Sequence, residues 1–288
     1  MSTHFADQGR PHSLFASVAA ADPEIADRLA ERQAEIAQGA STSSFVAAGL
    51  GLAAAPIALA ALATDVYGQA ARLPAPVVAA LNFALVLEYL ESEFYTTAVV
   101  NTPAGLVIPA SDQAIFKQIE LHEREHVKFL EAALGGSKRP KPTFDFTAKG
   151  AIPGGAFANY ATFTAVAQAF EDTGVRAYKG QAGALIPYPD ILTAALSIHS
   201  VEARHASMVR RLRGNFSEAA PNKGWITGAQ TDIAIAKANY AGEDNLLQGG
   251  VDVSTLVAGA GAGPASEAFD EPLTMAQVYA LVGPFIAS

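Results

Sequence analysis

Leu121-His122-Glu123-Arg124-Glu125-His126 and Ser200-Val201-Glu202-Ala203-Arg204-His205 are the two stretches that decide the fold. Each contains Glu-x-x-His, and a spacing of three places the Glu and the His on one face of a helix. Each stretch lies inside a run of helical apolar periodicity closed by turn residues. Ser111-Asp112 reads as the cap of the first run and Gly135-Gly136 as its stop. Pro187-Tyr188-Pro189-Asp190 opens the other, which ends near Arg213-Gly214. A helix of about 75-100 precedes the pair, following Pro74 and Pro76 and ending at Asn101-Thr102-Pro103. Another, of about 156-182, lies between them. No strand pattern competes in this region. The expectation is an all-α four-helix bundle over 75-214, with short first and third connections and a long second one around 135-155. A long second crossover is what makes helices two and three parallel.

Helix one places Glu88 within Leu87-Glu88-Tyr89-Leu90, and helix three places Glu171 within Ala169-Phe170-Glu171-Asp172. Both follow apolar residues at core spacing, so both are expected to point inward. One Glu from each of two helices and Glu-x-x-His from each of the others make the ligand set of a carboxylate-bridged dinuclear metal site. Four buried carboxylates would repel and desolvate one another at several kcal/mol per ion, and two divalent cations cancel that charge. In this arrangement each His binds one metal, Glu123 and Glu202 bridge, and Glu88 and Glu171 are terminal. Glu88 to Glu123 and Glu171 to Glu202 are similar separations, so the two helix pairs echo each other like a duplicated hairpin.

Composition agrees. The 288 residues contain no cysteine, which excludes disulfides, thiolate metal sites and a cysteine nucleophile. A metal site must then use His and carboxylates, which suit iron, manganese or zinc. Lys plus Arg is 19 against 28 Asp plus Glu, a net charge of -9. That makes nucleic acid a poor partner, because its affinity comes from basic contacts to phosphate. Four of the 6 histidines fall in two short segments: His122 and His126 in one, His199 and His205 in the other.

The segments Leu81-Asn82-Phe83 through Tyr95, Glu120 through Gly136, Phe170 through Tyr178 and His199 through Gly214 resemble the ferritin-like superfamily. They are most similar to its desiccation-related branch, as is the ending Phe269-Asp270-Glu271-Pro272-Leu273-Thr274. The resemblance implies a ferritin-like bundle with two iron ions or two manganese ions. It implies Glu88, Glu123, His126, Glu171, Glu202 and His205 as metal ligands, and Tyr95 as a tyrosine near the site and the candidate catalytic residue. The expected activity is an oxidoreductase acting on oxygen or peroxide, as a ferroxidase or in peroxide removal under stress. The alternative is a structural or desiccation-protective assembly protein with a silent or absent metal site. A homo-oligomer is expected in either case.

Around the ligands, His199 and Glu120 lie one turn before Glu202 and Glu123 and are candidates for a surrounding shell or a metal entry path. His122 falls off that face and reads as surface, as do Glu91, Glu93 and Glu125. Tyr95 and Tyr178 have three readings: redox-active residues, hydrogen-bond partners of a bridging Glu, or plain core tyrosines. Lys138 to Lys141 reads as a solvated loop. Residues 1-74 form an N-terminal extension. Its polar start leads to a helix signal at Asp22-Pro23-Glu24, then to an uncharged run from Ile36 to Thr64 interrupted by Pro56. That run has three readings: a secretory segment, a membrane contact, or an Ala-rich helix buried against the bundle or another subunit. Three arginines against six carboxylates in residues 1-44 weigh against export. The compartment stays open between cell envelope and cytoplasm. Residues 215-288 are expected to be a tail with Gly-rich pieces and a short helix around Leu273-Val282, covering the bundle or a partner subunit.

Overall fold

The computed structural model describes residues 73–214, 223–259 and 261–287. The extension with its apolar run at 36-64 therefore lies outside the described residues. Four long helices dominate: α1 (Ala75–Val99), α2 (Ala110–Leu134), α3 (Tyr160–Leu185) and α4 (Pro189–Arg213). Pro76 in the first turn of α1 and Pro189 in that of α4 sit where a missing N–H costs nothing. α2 starts one residue earlier than its expected cap. Pro109 is the N-cap residue, and Ser111 hydrogen-bonds to Asp112 in place of a backbone amide. α3 begins at Tyr160 rather than 156, because the Asn159 side chain accepts from the Thr162 amide and fixes the first turn there.

The helix directions are written in side-chain pairs. Tyr160 at the start of α3 donates to Asp112 at the start of α2 (2.5 Å), so these two helices run parallel. The chain between them returns the length of the bundle through residues 135-159. Tyr89 to Glu131 and Thr96 to Glu120 set α1 against α2 in antiparallel order. Arg210 to Asp172 does the same for α3 and α4. The result is the all-α bundle with a long crossover.

α1 and α3 are buried almost all round through their middles, Ala80 to Glu91 and Phe163 to Tyr178. α1 is long and apolar enough to cross a membrane, yet 72% of its most apolar window is buried, as in a core helix of a bundle. Near Phe94, rings from α1, α3 and the crossover pack together. Phe163 stacks on it at 5.1 Å, Phe157 at 5.2 Å, and Phe170 meets it edge-on at 5.2 Å.

The tail supplies the outer cover. It holds a two-stranded hairpin, β1 (Leu247–Gln248) and β2 (Val251–Asp252), then α5 (Ala262–Glu267) and α6 (Met275–Val282). α6 opens on a capping box between Thr274 and Gln277, and its Tyr279 packs edge-on against Phe83 of α1. Arg176, buried on α3, donates to the carbonyls of Glu271 (2.7 Å), Ala241 (2.8 Å) and Asn239 and pairs with Glu243 at 2.6 Å. Leu273 passes so close that a Cβ on Gly180 would stand 1.9 Å from its carbonyl oxygen. Helix three thus carries more buried polar side chains than its sequence suggests. Arg176 bonds to the tail, while Gln168 and Asp172 share theirs between Tyr240 of the tail and the arginines Arg213 and Arg210 of α4.

Candidate metal centre

Each of Glu88, Glu123, Glu171 and Glu202 sits close to the midpoint of its helix, so the four carboxylates meet at the same level inside the bundle. All four are fully buried. The six candidate ligands converge in two groups. Glu88, Glu123, Glu202 and His126 form one; Glu123, Glu171, Glu202 and His205 form the other. Within each group the potential ligand atoms lie within 4.8 Å of one another. Glu123 and Glu202 are common to both, the geometry of bridging carboxylates between two positions.

Both imidazoles turn Nδ1 inward. His126 Nδ1 lies 3.2 Å from oxygens of Glu88, Glu123 and Glu202 alike. His205 Nδ1 lies 2.7 Å from Glu123 and 3.4 Å from Glu171. That nitrogen has no aligned hydrogen bond despite the short distance. Neither do Glu123 Oε1, Glu171 Oε2 and both oxygens of Glu202. Buried polar atoms are nearly always satisfied, so atoms that converge without bonding one another mark a place for a cation. The donor set of carboxylates and imidazoles fits iron or manganese. Two divalent ions would balance the four carboxylates.

Protonation without metal shows the same stress. Burial pushes the Glu88 carboxyl up to about 7 against the attraction of His126. Burial and the neighbouring carboxylates hold Glu202 well above the usual range. Burial also works against an ionised Glu123, but the imidazoles of His126 and His205 outweigh it and hold this carboxyl well below that range. For His205, burial disfavours the cation, and the carboxylates of Glu171 and Glu123 override it, raising the imidazole to about 11.

Two tyrosines complete the symmetry. Tyr95 on α1 donates to Glu171 on α3 (2.5 Å), and Tyr178 on α3 donates to Glu88 on α1. Each tyrosine stands seven residues after the Glu of its own helix. They serve the outer carboxylates, not the shared ones that the sequence reading paired them with. The reason is rotational. Two helical turns carry Tyr95 and Tyr178 past the shared pair toward the facing helix.

Three residues depart from expectation. Glu91, expected in solvent, is 4 % exposed. It lies one turn after Glu88 on the same face, and its Oε1 crowds the backbone of Gly174 together with Glu202 Oε2, each 3.3 Å from where a Cβ would be. Glycine at 174 leaves room for this fifth buried carboxylate, and the i,i+3 spacing from Glu88 was its sequence signal. Burial and Glu202 together push it well above its ordinary range. His122, expected at the surface, is half-buried. Its Nδ1 is 2.9 Å from Nε2 of His205, and the two rings lie edge to edge, 11° from parallel with centroids 5.2 Å apart. Burial and the two other histidines lower its pKa. His199 turns the other way, toward the Val175 backbone and Asp270, and is in neither ligand group.

The other expectations stand on simpler contacts. Glu120 is buried and accepts from Thr96. Glu93 and Glu125 pair with Lys141 (2.7 Å) and Lys128 (2.5 Å), and Lys138 pairs with Glu131.

Residues 77–215 match the family model of the ferritin-like domain. Over these residues the bundle is similar to a ferritin-like domain. No curated protein matches the chain. The matched span begins two residues into α1 and ends just beyond α4, so all six candidate ligands lie within the ferritin-like stretch.

Proposed function

We propose that this ferritin-like protein binds two iron or two manganese ions and uses them to oxidise Fe(II) or to reduce oxygen or peroxide, in a stress-protective role. The observation that carries the reading is the pair of ligand groups sharing Glu123 and Glu202, with orphaned acceptor atoms aimed at common points. Glu88 and His126 would complete one position, Glu171 and His205 the other. Bound iron or manganese would supply the redox chemistry, exchanging electrons with oxygen or peroxide. The protein's part is to hold the ions at fixed separation, keep water out, and orient the outer carboxylates through Tyr95 and Tyr178. Membership of the desiccation-related branch and assembly into a homo-oligomer are parts of the same proposal.

A second reading is a structural stress protein in which the metal is a staple. The enclosure of the site favours it. Of the six ligands only His126 has its side chain as much as 12% exposed, so an oxidant has a narrow approach. One experiment separates the readings. Metal per chain is measured after anaerobic loading with Fe(II) or Mn(II), beside the Glu123→Ala, His205→Ala double variant, and the loaded protein is mixed with oxygen or peroxide. Two ions per chain, lost in the variant, with rapid oxidant consumption support the enzyme. Two ions with slow consumption favour the staple. Little metal in the wild type overturns the dinuclear reading.

A further inference from the structure

The two halves of the candidate centre are held differently from behind. On the α4 side, His205 presents Nδ1 to Glu123 and Glu171 and Nε2 to His122. For Nδ1 to bind a metal it must carry its lone pair, which puts the proton on Nε2. Nε2 then donates to His122 Nδ1 at 2.9 Å. His122 in turn carries its own proton on Nε2, 2.7 Å from the end of the exposed Gln118 side chain, whose amide turns to present its oxygen as the acceptor. The rings of His122 and His205 lie 11° from parallel, so His205 is held against rotation as well as fixed in tautomer. On the α2 side nothing equivalent exists. Among the described residues none bonds the Nε2 of His126.

We propose that His122 is a positioning residue that locks His205 in its metal-binding tautomer, making the position formed by Glu123, Glu171, Glu202 and His205 the tighter of two unequal metal positions. The inference rests on the dinuclear reading above and adds an inequality to it. A ligating imidazole whose outer nitrogen is held by an acceptor is fixed in orientation and is a better donor; removing such a partner costs 10–100-fold in metal affinity. The ion on the His205 side would be the resident one, bounded by four ligands of which none is more than 5% exposed. The ion on the His126 side would exchange first.

Two substitutions separate the hydrogen bond from the packing of the ring. His122→Phe keeps a flat ring against His205 and removes the acceptor. His122→Asn gives up the ring and keeps an acceptor at the place of Nδ1. Mn(II) binding to full-length protein is followed by competition with a graded chelator series, with native mass spectrometry counting ions at each step. Expected are two ions of unequal affinity in the wild type. In His122→Phe the tighter constant should weaken 10–100-fold with the weaker one nearly unchanged, and His122→Asn should stay within about threefold of wild type. Two equal constants in the wild type overturn the inference, as does a His122→Phe protein with both constants intact. A strong loss in His122→Asn with none in His122→Phe assigns the effect to the packing of the ring and refutes the tautomer lock. If His122→Phe fails to fold by circular dichroism, His122→Ala replaces it as the variant without an acceptor and carries the same expectation. A wild type that binds fewer than two ions refutes the dinuclear reading itself, a result distinct from all of these.

Discussion

Glu88→Gln should change protein stability in opposite directions with and without metal. Glu88 is fully buried, and its carboxyl is raised from 4.5 to about 7. A raised pKa means the unfolded chain gives up this proton before the folded one does. The stabilising effect of the retained proton is complete below about pH 4.5 and disappears as pH rises through about 7. Each pKa unit is worth ~1.4 kcal/mol, so ionised Glu88 costs the metal-free fold about 3 kcal/mol above pH 7. The attraction of His126 is already contained in that value. Glutamine is close in shape to the protonated acid and carries no charge. In excess chelator the variant should therefore match wild type near pH 4 and become the more stable by about 3 kcal/mol at pH 8. With Mn(II) the order should reverse. An ion at a hundred times its dissociation constant adds ~2.7 kcal/mol, and the variant loses a ligand to one of the two positions. Urea unfolding followed by circular dichroism from pH 4 to 8.5, with chelator and with Mn(II), reads both effects. A variant that is the less stable at pH 8 in chelator would refute the claim that the site is strained without metal.

Further outcomes follow from single contacts. Mn(II) affinity should rise from pH 6 to 8, because loading displaces protons held at about 7 on Glu88 and about 11 on His205; calorimetry in buffers of different ionisation enthalpy counts the protons released. Tyr95→Phe should weaken the ion on the Glu171 side, and Tyr178→Phe the ion on the Glu88 side. Each removes a hydrogen bond to a buried carboxylate worth about 1.5–3 kcal/mol, read by chelator competition. Asp172→Asn strands Arg210, which is 4 % exposed, and should cost about 3–5 kcal/mol in urea unfolding while leaving metal stoichiometry intact. Gly180→Ala drives a Cβ into the Leu273 carbonyl and should cost roughly 1–3 kcal/mol, with limited proteolysis entering the tail near Leu273 before the bundle.

The chemistry of this protein was readable because it obeys the helical period. Glu-x-x-His puts two ligands on one face whatever surrounds the helix, so Glu123 with His126 and Glu202 with His205 could be paired from sequence alone. Glu88 and Glu171 were readable for a related reason: each follows apolar residues at core spacing in a helix that has to be buried. His122 was misread because it lies one residue before Glu123, outside the face shared by the ligands. Its ring reaches His205 only through the way α2 and α4 sit against each other. Glu91 lay on the right face but was assigned to solvent, since a fifth buried carboxylate looks unaffordable until Gly174 on the opposing helix is seen to make room for it.

The helix boundaries show the same division. Prolines and glycines marked the starts and stops of α1, α2 and α4 to within about a residue or two, because their backbone limits are local. The start of α3 was set by Asn159 capping Thr162, with no proline to announce it. Gln168, Asp172 and Arg176 have no intelligible place on a helix read by itself. They are buried because the tail from Asn239 to Leu273 lies over them and supplies each with a partner. By itself, the sequence determined the four helices, the parallel second and third, and six inward ligands, since these depend on spacing along one chain. Tertiary structure alone decided which tyrosine holds which carboxylate, that Glu91 is enclosed, and that His205 but not His126 is held from behind. Those are contacts between helices, and their rotation about one another is set by packing.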